Sequence, residues 1–145
     1  MSTRMKVAFG CYVAAYLVFT AFGVIYLLRP QFMPYHAVAV GMRWEEVGRP
    51  FQVLILGLMR VFGGSLLAAA FIGAVLLAFP LRQGAPWARW ALPVHGLIVA
   101  CASLYGTLYV QLNTGARSPW LAAVLAVVLL VVGAVLSIRP ADGGL

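Results

Sequence analysis

Val61–Phe79, VFGGSLLAAAFIGAVLLAF, decides how this chain is read. The stretch holds no charged side chain, and a helix over it covers about 28 Å at 1.5 Å per residue, close to the hydrocarbon thickness of a bilayer. A helix satisfies its backbone N–H and C=O groups internally, which is what such a run requires where water is absent. Three further apolar runs are long enough to span: Val7 to Leu28, Trp87 to Leu112, which carries Arg89 near its start, and Trp120 to Ser137. The sequence therefore predicts an all-α, integral membrane four-helix bundle, with helices over about 7–28, 51–79, 87–112 and 120–137 and an extracytoplasmic loop over about 29–50.

The runs are punctuated where helices should stop. Arg29-Pro30 and Phe79-Pro80 end the first two spans, because proline cannot continue a helix. Asn113-Thr114-Gly115 ends the third, and Ser118-Pro119 opens the fourth as cap and first-turn proline. Counting back from Phe79 places Arg60 near the far interface, with Phe51 to Met59 projecting beyond the hydrocarbon or lying along it.

Composition narrows the class further. The chain has 145 residues, 64% hydrophobic and 9% charged, so residues 1–145 form one transmembrane domain with no soluble domain beside it. The net charge of +7 comes from arginines and lysines at helix ends, where they set topology and meet anionic headgroups; the lipid bilayer, not nucleic acid, is the expected partner. Glu45, Glu46 and Asp142 are the only carboxylates, all outside the spans, which excludes a two-metal centre, an aspartyl dyad or a carboxylate proton relay within the membrane. A non-enzymatic role fits this better than catalysis, and the residues leave the identity of any cofactor open.

The first apolar run is longer than a signal-peptide core and is read as a retained helix. Arg4, Lys6, Arg82, Arg89 and Arg139 slightly outnumber Arg29, Arg43, Arg49 and Arg117 on the opposite side. This points to a multi-pass protein of the bacterial inner membrane with both termini cytoplasmic. The depths of Cys11, about 6 Å into the first span, and Cys101, about 21 Å into the third, predict two free thiols.

Helical faces carry the candidate site residues. Tyr12, Tyr16, Phe19, Gly23 and Tyr26 form one stripe of the first helix, read as packing. The second helix has Ser65, Ala69 and Gly73 on one face and Arg60, Gly64 and Phe71 on another, so both faces look able to pack and the helix reads as central. His95 lies about 12 Å into the third span, level with Tyr16 at about 13.5 Å into the first, which permits a hydrogen bond locking the two helices. Arg60, Tyr26 and Tyr105 share a second level, about 27 to 28.5 Å from the cytoplasmic edge. Above it stands the loop with His36, Glu45 and Glu46. Arg60 is expected to pair with one of these glutamates or to hold an anionic group.

Trp44-Glu45-Glu46, Leu58-Met59-Arg60-Val61-Phe62-Gly63-Gly64, Trp87-Ala88-Arg89-Trp90-Ala91-Leu92-Pro93 and Thr114-Gly115-Ala116-Arg117-Ser118-Pro119-Trp120 occur in an order that resembles the small DoxX-like membrane proteins of bacteria and related four-helix families. The resemblance spans about residues 5–138 and implies a four-helix bundle. Because some DoxX relatives are membrane subunits of quinone-linked oxidoreductases, it also implies a redox alternative in which Arg60, His95 and tyrosines hold a quinone headgroup. The first expectation is an accessory or scaffold subunit, or a binder of a small amphipathic or anionic ligand near Arg60, acting within a membrane protein complex or a homo-oligomer.

Overall fold

The computed structural model of the protein describes residues 2–138; Arg139 and Asp142 lie outside the described residues. The chain forms α1 (Thr3–Leu28), α2 (Pro34–Val40), a 3-10 turn (Trp44–Glu46), α3 (Arg49–Leu76), a π-helical turn (Leu77–Leu81), α4 (Ala88–Thr114) and α5 (Trp120–Ile138). No strand occurs among the described residues. Four helices are long and apolar enough to cross a membrane: α1, α3 together with its π-helical extension, α4 and α5.

Local chemistry sets the boundaries. Ser2 caps α1, its hydroxyl accepting from Met5 N–H at 3.3 Å, so the helix begins before the apolar run does. The segment 29–50 is more ordered than the loop expected there. Pro34 opens α2 at its first turn and Gly41 closes it at φ +68°, the pairing of early proline and terminal left-handed glycine that bounds a short helix. Pro80 does not end the second run at once. The helix widens into a π turn through Leu81, where Ala85 N–H donates to Pro80 O at 2.9 Å, and Gly84 at φ +78° then stops it. Ser118 is no cap for α5: its hydroxyl donates to Thr107 O at 2.7 Å, which ties the connection back onto α4.

The central helix is α1, not α3. It packs along its length against α3 on one side and α5 on the other, while α4 packs on α5 and meets α3 far less. The tyrosine stripe is its inward face, with Tyr12, Tyr16, Phe19 and Tyr26 all buried. Helix α3 buries only one face, made by Met59, Gly63, Leu66, Ala69, Ala70 and Gly73. Arg60 and Phe71 are exposed, and so is Ser65, whose hydroxyl is satisfied by Val61 O of its own helix at 2.8 Å. The reading of two packing faces is thereby corrected.

Small residues let the helices approach. A Cβ on Gly63 would lie 2.6 Å from Leu27 N and 2.7 Å from Gly23 O, so α1 and α3 touch backbone to backbone there. Two other glycines are sockets for tyrosines. A Cβ on Gly73 would stand 2.5 Å from ring carbon Cδ1 of Tyr16, and one on Gly133 would stand 2.8 Å from Cε1 of Tyr12. Cys11 and Cys101 are free thiols.

A pair of adjacent substitutions tests this packing. Gly63→Ala forces α1 and α3 apart and should destabilise the protein by about 1–3 kcal/mol. Gly64→Ala, whose added Cβ meets nothing within 4 Å, should be neutral or stabilising by up to about 1 kcal/mol through helix propensity. Thermal unfolding in detergent compares the two.

Candidate functional site

Two polar layers cross the bundle. In the first, the Tyr16 hydroxyl donates to Leu92 O at 3.0 Å and lies 3.1 Å from His95 Nδ1. A hydroxyl carries one proton, so with that proton on the Leu92 carbonyl we assign the hydrogen of His95 to Nδ1, which donates to the phenol oxygen. The levels computed from helical rise thus do bring Tyr16 and His95 together. Their bond is one of few contacts between α1 and α4, and it works as a clamp. Nearer the N-terminus, Tyr12 and Ser137 are hydrogen-bonded at 2.9 Å, and Ser137 donates to Ala134 O.

The second layer differs from expectation. Tyr26 is buried and faces inward, whereas Tyr105 is 72% exposed and stacks only against Tyr109. Arg60 is exposed and has no hydrogen bond or ion pair among the described residues. Glu46 is engaged locally, accepting from Arg43 N–H at 2.9 Å and from the Arg43 guanidinium at 3.1 Å. These two bonds hold its carboxyl below the usual carboxylate pKa. Glu45 is exposed. No glutamate reaches Arg60, and the expected ion pair is replaced by an outward-facing arginine whose long stem can reach an interface.

Tyr26 instead meets α2. Its hydroxyl is hydrogen-bonded to that of Tyr35, and its ring lies edge-on to His36 at 6.5 Å and to Phe62 at 5.1 Å. His36 is also flanked by Phe32 and Tyr35. Its Nδ1 accepts from Met33 N–H at 3.3 Å, which leaves the hydrogen on Nε2 as a donor. Burial pushes the His36 imidazole below its ordinary pKa. Burial, then the bond to Tyr26, pushes the Tyr35 phenol up. Both groups are therefore neutral near pH 7.

This neutral corner forms one end of a cleft of about 440 Å³ between the N-terminal half of α3 and the C-terminal half of α4, roofed by α2. Ile55, Leu58, Met59 and Phe62 line one wall and Ala102, Gly106 and Val110 the other. The hydroxyls of Ser103 and Thr107 also border it, but both donate to carbonyls of α4 itself. The corner thus supplies the polar contacts of an otherwise apolar space: an imidazole N–H, one phenol proton left over from the Tyr26–Tyr35 pair, and hydroxyl lone pairs. Arg60, Tyr105, Glu45, Glu46, His95 and Tyr16 do not line the cleft. No cluster of three His, Cys, Asp or Glu side chains that could hold a metal ion occurs among the described residues.

Sequence reasoning had singled out Tyr26 and His36 but missed Tyr35 and Phe62. The signal for Tyr35 was Pro34 followed by Gly41, which marks a helix able to aim a phenol back at α1. No known protein family, characterised protein or solved structure matches the chain.

The half-buried neutral imidazole makes the seating of α2 dependent on pH. When α2 is undocked, His36 titrates near the ordinary 6.5; docked, it titrates lower. Docking stability should thus be complete above that value and fall as pH drops through it, by at most about tenfold in the docking constant per pH unit. Protonation of Nδ1 also forfeits the bond from Met33. Hydrogen-exchange protection of the α2 amides, corrected for intrinsic rates, should decline between about pH 7 and about pH 5. In His36→Leu the decline should vanish.

Proposed function

We propose that this protein is a multi-pass membrane protein that binds a small amphipathic ligand in the cleft between α3 and α4, with the ligand's polar head at the Tyr26–Tyr35–His36 corner. The reading rests on one observation, an apolar cleft of about 440 Å³ ending in neutral hydrogen-bond donors. Ligand sites have this character: apolar walls give affinity, and a few fixed polar groups give orientation. A corner with neither cation nor carboxylate favours an uncharged head bearing an acceptor such as a carbonyl, since an anion would leave water without gaining a counter-charge. Because Arg60 faces outward, it takes no part in the proposed site although it shares a level with Tyr26, and it supplies no counter-charge for an anionic head in the cleft.

In this reading the protein sits in a bacterial inner membrane with both termini cytoplasmic. It acts as a non-enzymatic accessory or scaffold subunit of a membrane complex or homo-oligomer. A second reading is supported by the same donors: a quinone headgroup presents two carbonyl acceptors, and a DoxX-like membrane subunit of a quinone-linked redox system would hold it at this corner.

Binding of an alkyl-para-benzoquinone to the purified protein in mild detergent, read by quenching of tryptophan fluorescence, tests the site. Tyr35→Phe and His36→Leu should each weaken binding by about two- to tenfold, the worth of one hydrogen bond. Unchanged binding in the double variant would remove the corner from the site. For orientation, cysteines at Gln83 and Arg117 in a background lacking Cys11 and Cys101 should label from opposite sides of the membrane, Gln83 from the cytoplasm.

A further inference from the structure

The cleft is not the only space in the bundle. Behind Tyr26 lies a smaller, half-open void of about 40 Å³, lined by residues of α1, α3, α4 and α5 and by Pro119. Tyr26, Phe62, Ser103 and Thr107 border both spaces, so one partition separates them. The inner walls include Phe19, Leu66, Ala100, Ala122 and Ala126. The void exists because α4 and α5 present alanines where Phe19 and Leu66 do not reach across. Its lining is apolar and its two hydroxyls already donate to the backbone, so water has no partners there.

The partition has one fixed side and one movable side. Tyr26 is 5% exposed and bonded to Tyr35, whereas Phe62 is 38% exposed and held edge-on against the Tyr26 ring. Because Phe62 makes no hydrogen bond, a change of its rotamer would open this partition at no polar cost. By the volume a single water requires, about 10–15 Å³, the void holds about three heavy atoms. That excludes a polypeptide segment or a full acyl chain, and it suits the apolar end of a small molecule already anchored next door.

We infer that Phe62 is a gate and that the void behind it is a selectivity pocket for the apolar tail of the ligand whose head occupies the Tyr26–Tyr35–His36 corner. The inference rests on the ligand reading above and adds to it what the tail must be: short or branched, and uncharged. Atoms entering the pocket regain the dispersion contacts that its walls lack.

A homologous series of alkyl-para-benzoquinones, from methyl to decyl, tests this by fluorescence quenching. Longer tails partition more strongly into detergent whatever the protein, so the ratio of variant to wild-type affinity is compared at each length. Ala122→Leu fills the void. It should leave the methyl compound unaffected and remove about fourfold in affinity for each methylene that loses its place, up to about three, the equivalent of about 0.8 kcal/mol each. Phe62→Trp, which also alters the cleft wall and so is read only as affinity relative to its own methyl compound, should show the same loss with tail length by blocking entry, and Phe62→Ala should favour branched tails. Ratios that stay constant along the series in both Ala122→Leu and Phe62→Trp would overturn the gate and pocket while leaving the cleft site standing. Failure of every compound to bind the wild-type protein would instead overturn the cleft site, and this inference with it.

Discussion

Tyr16 sends its hydroxyl to Leu92 and His95 on α4 while its ring fills the socket left by Gly73 on α3. One side chain on α1 therefore sets the register of three helices. In lipid this matters more than in water, because hydrocarbon tails compete on equal terms with leucine and burial alone does not draw helices together. Close fit and polar bonds between helices must do so. The same layer reaches the fourth helix through Gly96, where an added Cβ would lie 2.6 Å from Leu130 of α5 and 3.1 Å from the Tyr16 hydroxyl. With this layer fixed, α3 and α4 can diverge beyond it, and the cleft is the space they leave.

What could be read from the sequence followed from what helical geometry determines. Rise per residue fixes depth, so Tyr16 and His95 were matched correctly across two long helices. Depth says nothing about direction around the axis. Arg60 and Tyr26 share a level, yet Met59 is buried and Arg60, one residue and about 100° further round, faces outward. The same blindness misassigned the packing face of α3, where Gly63 and Leu66 accompany Ala69 and Gly73 and Ser65 does not. Tyr35 escaped because α2 is only two turns long, too short for hydrophobic periodicity to announce it, and because its partner Tyr26 is set by how the 29–50 segment folds back. Phe62 and the alanines around the inner void carry no chemical mark at all; only the assembled bundle gives them meaning.

The cleft and the charges occupy different parts of the molecule. Apart from Arg60, which faces outward from within α3, the arginines and glutamates of the described residues lie at helix ends, in connections and in the 29–50 segment. The interior polar groups are phenols, hydroxyls and imidazoles that hydrogen-bond without ionising. This arrangement lets polar atoms stay in an apolar bundle at little desolvation penalty, since these groups carry no full charge and each makes at least one hydrogen bond. The spare donors of Tyr26, Tyr35 and His36 are left for the cleft.

A membrane potential exerts force only on charge, about 2.3 kcal/mol for each elementary charge carried across 100 mV. Between Val7 and Leu28, Val61 and Phe79, Trp90 and Leu112, and Trp120 and Ile138 the chain has no Asp, Glu, Lys or Arg. Helical rise counted back from Phe79 puts Arg60 at the expected rim of the field, where a small displacement traverses little of it. Voltage across the bilayer therefore does almost no work on this bundle, and its conformational equilibria follow composition: the pH at the roof of the cleft and the concentration of lipid-soluble molecules beside it.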